Sequence, residues 1–137
     1  MVEYYGAGVQ ACYRGPRLFD NALTKQVVSK TISWYKKYRD ILNADIIHLR
    51  RADGRDWDGI LHVNPTLKTK GFVLLYNPLK EKITRIITLP LYYTGITSTA
   101  VIREKEGLAR KYTLDRNYAI KLTVSIDPES YTWYSIE

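Results

Sequence analysis

The sequence predicts a mainly β protein: an antiparallel β-sandwich of about seven to eight strands preceded by one long N-terminal α-helix. Three observations predict it. Near residue 43 the hydrophobic period switches from helical to two-residue spacing. From there to the C-terminus, short apolar or alternating runs recur with turn residues between them. No second helical pattern interrupts those runs, which favours antiparallel pairing over strand–helix–strand units. A small closed barrel is the structural alternative.

The helix is carried by residues 20–43, DNALTKQVVSKTISWYKKYRDILN. Asp20 is the expected N-cap, and Asn43 suits a left-handed terminator. Leu23, Val27, Trp34, Tyr38 and Ile41 fall on one face, and Val28, Ile32 and Tyr35 widen it. Lys36, Lys37 and Arg39 lie in the last turns, where positive charge complements the helix dipole.

The strands follow in order. DIIHLRR has mixed faces, GILHV and GFVLLY are short apolar runs, and ITRIITL, AVIRE and YTWYSI complete the series. Tyr118 to Ile126 alternates strictly, with Tyr118, Ile120, Leu122, Val124 and Ile126 on one face, the pattern of a half-buried strand. Asp53-Gly54, Asp58-Gly59, Asn64-Pro65, Asn77-Pro78, Glu106-Gly107, Asp115-Arg116-Asn117 and Asp127-Pro128 punctuate them. Ahead of the helix, the apolar piece Gly8–Cys12 and then Gly15-Pro16 read as a strand and loop. The chain is thus expected to divide into residues 1–43 and residues 44–137.

A length of 137 residues allows one ordinary domain with a real core, and 26% charged residues is a normal globular balance. Twelve tyrosines and three tryptophans against two phenylalanines suit half-wet surfaces. The net charge of +7 would fit nucleic acid if it were clustered. It is scattered beyond the pairs Lys36–Lys37, Arg50–Arg51 and Arg110–Lys111, so a basic solvated surface is the better reading. Cys12 is the only cysteine, which leaves no internal disulfide and no cysteine metal site. The opening residues lack a basic and an apolar segment, so no signal peptide is read, and no stretch approaches membrane-spanning length.

The stretch RADGRDWDGILHVNP, Arg51 to Pro65, holds three aspartates, Asp53, Asp56 and Asp58, around Trp57. It reads as a sugar-cleaving site, a metal loop or a turn. A calcium loop needs ligands at alternating positions and a glutamate six residues beyond its glycine; Pro65 stands there instead. Glycosidase carboxylates converge across a pocket from separate elements, which one tight loop does not supply. A hairpin connection rich in Asp and Gly is favoured. Trp57 is expected against a neighbouring domain or at a sugar-stacking edge. His48 and His62 flank the loop in strands and are expected to be structural, since nothing marks a third metal ligand. Ser29 and Ser33 have no histidine beside them, and no phosphate loop or dinucleotide fingerprint is present. Tyr92 and Tyr93, read as adjacent strand residues, are expected to point one into the core and one to solvent, where the exposed ring could stack on a sugar or cover an interface.

WYKKYRDILNADIIHLRRADGRDWDGILHVNP, then KGFVLLYNPLKEKITRIITLPLYYTG, then YTWYSIE resembles the C-terminal end of a bacterial α-galactosidase-like glycoside hydrolase. The resemblance implies a catalytic (β/α)8 barrel followed by an antiparallel sandwich. Residues 1–43 would be the barrel's end: GAGVQACYRGPRLFD its last strand and loop, TKQVVSKTISWYKKYRDIL its last helix. Catalytic carboxylates in such enzymes sit on earlier barrel strands, so no catalytic residue maps onto this chain. Trp57, Tyr92 and Tyr93 become the substrate-contact candidates, and Trp34, Tyr38, Asp56 and Trp57 the domain-interface candidates. The implied partner is the parent's barrel, with carbohydrate second and a homodimer through the N-terminal helix as a further option. No metal, cofactor or membrane is implied, and the parent's location, secreted or periplasmic by resemblance, is not readable from these residues. A free-standing carbohydrate-binding module and a small basic nucleic-acid-binding barrel are the competing functions; affinity for oligosaccharide, or an affinity falling steeply with salt, would mark them.

Overall fold

The computed structural model describes residues 1–10, 17 and 19–137. The elements run α1 (Val2–Gly6), α2 (Ala22–Leu42), β1 (Asp45–Arg50), β2 (Asp58–Val63), β3 (Gly71–Asn77), β4 (Ile83–Pro90), a 3-10 turn (Tyr92–Thr94), β5 (Thr99–Glu104), β6 (Ala109–Thr113), β7 (Ala119–Ile126) and β8 (Ser130–Ile136). The strands form two antiparallel sheets: a six-stranded one in the order β1-β2-β3-β8-β5-β6 and a pair, β4 with β7. The predicted mainly β class with one long helix is the observed one.

α2 starts one residue later than the pattern implies. Asn21, not Asp20, is its N-cap: the side-chain oxygen accepts from Thr24 N at 2.9 Å. At the other end Asn43 is not left-handed, with φ −96°. It closes the helix with its N–H on Arg39 O at 2.9 Å, and its side chain accepts from the Tyr35 hydroxyl at 3.3 Å. The expected N-terminal strand is not seen at Gly8–Gln10, and the rest of Gly8–Cys12, with Gly15-Pro16, lies outside the described residues. Ahead of it stands the helical turn α1, whose Tyr5 stacks on Tyr35 of α2 at 4.2 Å.

The main core lies between the sheets. Leu61, Val63, Val73, Leu75, Ile102, Tyr134 and Ile136 come from the large sheet, and they meet Ile83, Ile87, Leu89, Leu122, Val124 and Ile126 of the β4–β7 pair. From Ile120 to Ile126, β7 supplies its side of this core by the predicted alternation. β3 does not alternate because both its faces are covered: Phe72 and Leu74 point away from the sandwich and, with Trp133, form a second core with Ile41 and Leu42 of α2. Three layers result, the small sheet, the large sheet and the helix. Gly59 lets β2 approach β3 closely; a Cβ there would stand 2.7 Å from Leu74 O.

β6 is the strand the pattern missed. Its residues ARKYT are exposed apart from half-buried Tyr112, because it is the edge of the large sheet. An edge strand held by backbone pairing and guarded by charge carries no apolar signature.

Candidate functional site

The aspartate loop resolves into three separate environments. Arg50, at the end of β1, clamps Asp53 with two 3.0 Å hydrogen bonds and donates to Trp57 O at 2.8 Å. That bidentate pair holds the Asp53 carboxyl below its usual range. Asp56 accepts from Trp57 N at 2.8 Å and from the Arg85 guanidinium at 3.1 Å, which ties the loop to β4 of the small sheet. Burial opposes ionisation of Asp56, but these donors outweigh it and hold its pKa down. Asp58 is the reverse: burial pushes its carboxyl up, with Arg50 acting against the shift. The loop joins β1 to β2, and its three carboxylates take different partners around the Arg50 guanidinium. Trp57 is half-buried and its ring packs on the main core, not out from the loop as its position in the sequence suggests.

Asp58 faces a cleft of about 510 Å³ shared with Glu3, Tyr76, Asn77 and Tyr131. The Tyr76 and Tyr131 rings lie 6.4 Å apart. Burial raises both phenols above their ordinary range. No cluster of three or more His, Cys, Asp or Glu able to hold a metal occurs among the described residues.

His48 and His62 do sit on one hairpin, opposite Ile60 and Ile46 respectively, and so on the same face. Their environments differ. His48 is exposed, whereas His62 is fully buried and its Nε2 donates to Gly6 O at 2.7 Å. This bond anchors α1 to the large sheet. Burial holds the imidazole below its ordinary range, with the Gly6 and Ala44 carbonyls pulling the other way. As pH falls, the unfolded chain therefore takes up this proton first. The stability contribution is complete above about pH 6.5, the ordinary histidine value, and is lost as pH falls through the depressed folded value. Thermal denaturation from about pH 7.5 down to 5 should show His62→Gln with a flatter decline of Tm than the native chain; equal slopes would refute this.

Tyr92 and Tyr93 are not on a strand. β4 ends at Pro90, and the 3-10 turn carries both rings outward, 62% and 64% exposed. Neither enters the core; Leu91 and Thr94 do. Gly95 ends the turn in the left-handed region, φ 72°. Tyr92 meets Tyr93 edge-on, with ring centroids 5.2 Å apart and planes at 88°. A third ring joins them: Tyr118 lies 5.5 Å from Tyr92 at 72°. The alternating pattern assigned Tyr118 to β7, but the strand starts at Ala119 and Tyr118 takes φ 55°, a conformation that costs a bulky residue about 1–2 kcal/mol. Its position just after Asp115-Arg116-Asn117 was the one available signal of a turn.

The helix layer holds the remaining candidates. Trp34 and Tyr38 are half-buried inside it: Tyr38 lies 4.9 Å from Phe72 and 5.1 Å from Trp133, and Trp34 lies 6.0 Å from Phe72. Glu106, in the β5–β6 turn, accepts from Lys37 at 2.8 Å and from the Tyr38 hydroxyl at 2.7 Å, pinning α2 to that turn. Toward its N-terminus α2 parts from the sheet. A groove of about 780 Å³ opens there, lined by Val2, Val27, Trp34, Tyr131 and Trp133, with Lys30 and Lys105 at its sides.

No family model matches the sequence, and no curated protein matches it. Solved structures do. The chain is similar to AmyP in complex with maltose, with a TM-score of 0.52 at 9% identity over 93% of this chain and 24% of that one. The likeness is one of fold. Two further similar structures are a GH27 β-L-arabinopyranosidase from Geobacillus stearothermophilus (TM-score 0.48, 10% identity, 68% of this chain and 19% of that one) and a candidate α-N-acetylgalactosaminidase from Bacillus halodurans C-125 (0.46, 12%, 70% and 21%). The chain thus spans about a fifth to a quarter of the length of these solved chains.

Proposed function

We propose that this chain is the non-catalytic β-sandwich domain of a carbohydrate-active enzyme, with residues 1–43 as the end of that enzyme's catalytic barrel. Its role is to support the barrel. The observation that carries the reading is the uncovered half of α2. From Trp34 onward the helix is seated on the large sheet, yet Leu23 and Val27, on the same apolar stripe, are 71% and 56% exposed. An apolar helix face that continues past its own sheet, beside an open groove, suits packing against further helices of the same polypeptide. The fold likeness to AmyP, and the sequence resemblance of the helix-to-sandwich junction to α-galactosidase-like enzymes, support the same reading. Asp53 and Asp56 are spent on Arg50 and Arg85, which leaves the loop a structural role.

Two measurements test it. An antiserum against this chain should detect, in an extract of its source, a polypeptide larger than 15.9 kDa by roughly 250 residues or more, the size of a barrel. A natural product of only 15.9 kDa would overturn the reading. The isolated chain should also hydrolyse no chromogenic α- or β-glycoside; turnover abolished by Asp58→Asn would equally overturn it.

A further inference from the structure

Three tyrosines at one end of the sandwich belong to neither core. Tyr92 and Tyr93 are more than half exposed, and Tyr118 is 38% exposed. Their mutual contacts are edge-on, so each covers one face of one ring only and much of the aromatic surface stays open to solvent. Surface tyrosines that merely fill space do not need a strained backbone to reach one another. Tyr118 has one, and the surroundings enforce it. Its N–H donates to Asp115 O at 3.0 Å, its carbonyl accepts from Leu91 N at 2.8 Å, and the Asp115 side chain accepts from Asn117 N at 2.8 Å and Ala119 N at 3.0 Å. The network joins the β6–β7 turn to the residue just before Tyr92 and so fixes the third ring beside the first two. Lys105 and Glu129 take the same conformation at other turns; at Tyr118 it also brings a third ring to an aromatic pair, and strain held in place by its surroundings occurs at functional positions.

The charge pattern narrows the ligand. From Ile86 to Ile102 the sequence holds no charged side chain, in a chain that is 26% charged overall. The Asp115 carboxylate is occupied by backbone N–H groups. A phosphate polymer would be met by a positively charged track interleaved with the rings, and this segment supplies none. Exposed rings with hydroxyls beside an uncharged segment, with Arg116 the one cation in the turn that carries Tyr118, match a ligand with apolar C–H faces and many neutral hydroxyls. Two of the rings stand out from an exposed turn, which suits a chain lying across them better than a single enclosed sugar.

We propose that Tyr92, Tyr93 and Tyr118 form a binding surface for a neutral polysaccharide chain, separate from the α2 face. The proposal goes beyond the reading of the chain as a supporting domain and does not depend on it: the test below uses the isolated chain and is blind to whether a barrel precedes it.

The test is native affinity electrophoresis of the chain in gels containing amylopectin, galactomannan or arabinoxylan. Retardation is expected in at least one. The Tyr92→Ala/Tyr93→Ala variant should lose affinity by ten-fold or more, and Tyr92→Phe should keep most of it. Tyr118→Gly separates binding from folding, because glycine takes a positive φ freely: its Tm should equal or exceed that of the native chain while its affinity also falls about ten-fold. Absence of retardation in all three gels, or retardation unchanged in the double variant, overturns the proposal. So would a dimer in sedimentation that the double variant dissolves, which would make the patch a contact between copies. Salt-sensitive binding of oligothymidylate that is lost in the same variants would assign the rings to nucleic acid instead.

Discussion

Replacing Asn77 by alanine is expected to cost roughly 3 kcal/mol, because this buried side chain bonds four backbone groups at once. Asn77 is 2% exposed at the end of β3. Its Nδ2 donates to Glu81 O at 2.8 Å, Asp127 O at 2.9 Å and Ile126 O at 3.2 Å, and its Oδ1 accepts from Leu79 N at 3.0 Å. One amide thus closes the β3–β4 turn and ties the large sheet to the end of β7 in the small one. Alanine leaves these groups unpaired at about 1–3 kcal/mol for each that water does not reach. Asn77→Asp should be at least as damaging near pH 7, since a carboxylate would face three carbonyl oxygens. Its folded pKa would be raised, so stability relative to the native chain should recover as pH falls and the acid gains a proton to donate. Urea denaturation at neutral and acid pH measures both. A loss below about 1 kcal/mol for alanine would mean that water replaces the amide.

Phe72→Ala should cost about 3–5 kcal/mol and loosen α2. Phe72 is fully buried, stacked on Trp133 with ring centroids 5.1 Å apart and planes at 18°, and touched by Trp34 and Tyr38 from the helix. Aromatic pairs of this kind add about 0.5–1.5 kcal/mol beyond the area they bury, and truncation here removes several at once. The helix is otherwise held by Ile41 and Leu42, by Trp34 and Tyr38 against Trp133, by Tyr35 against Tyr5 and by the exposed Glu106 contacts, and exposed ion pairs contribute at most about 1 kcal/mol. Amide exchange of residues 34–42 should therefore quicken in Phe72→Ala by more than the sandwich strands do. Leu23→Asp should leave both stability and exchange nearly unchanged, because its side chain meets water already. A Phe72→Ala chain with undiminished helix protection would show that α2 does not depend on this contact.

The sequence determined what depends on local period and local chemistry. A helix over Ala22–Leu42, the alternation of β7 and most of the turns follow from residue spacing and from Gly, Pro, Asn and Asp. That the Asp53–Asp58 loop joins two paired strands was legible too, from its Asp and Gly residues. What escaped was decided by partners distant in the chain. β6 exists because β5 offers it a backbone ladder, and a ladder leaves no trace in side-chain hydrophobicity. β3 is apolar on both faces because α2 returns to cover the second one, which its own pattern does not reveal. Trp57 turns inward because Arg50 and Arg85 fold its loop onto the core. Tyr118 breaks its strand's alternation because Asp115 and Leu91 hold its backbone left-handed, and only that contact puts three rings together. His62 and Asn77 read as ordinary polar residues until the fold brings Gly6 to one and the carbonyls of Glu81, Ile126 and Asp127 to the other. Periodicity records how a segment divides between core and solvent. It does not record which distant segment closes over it, and in this chain that closure sets both the helix face left open and the tyrosines left at the surface.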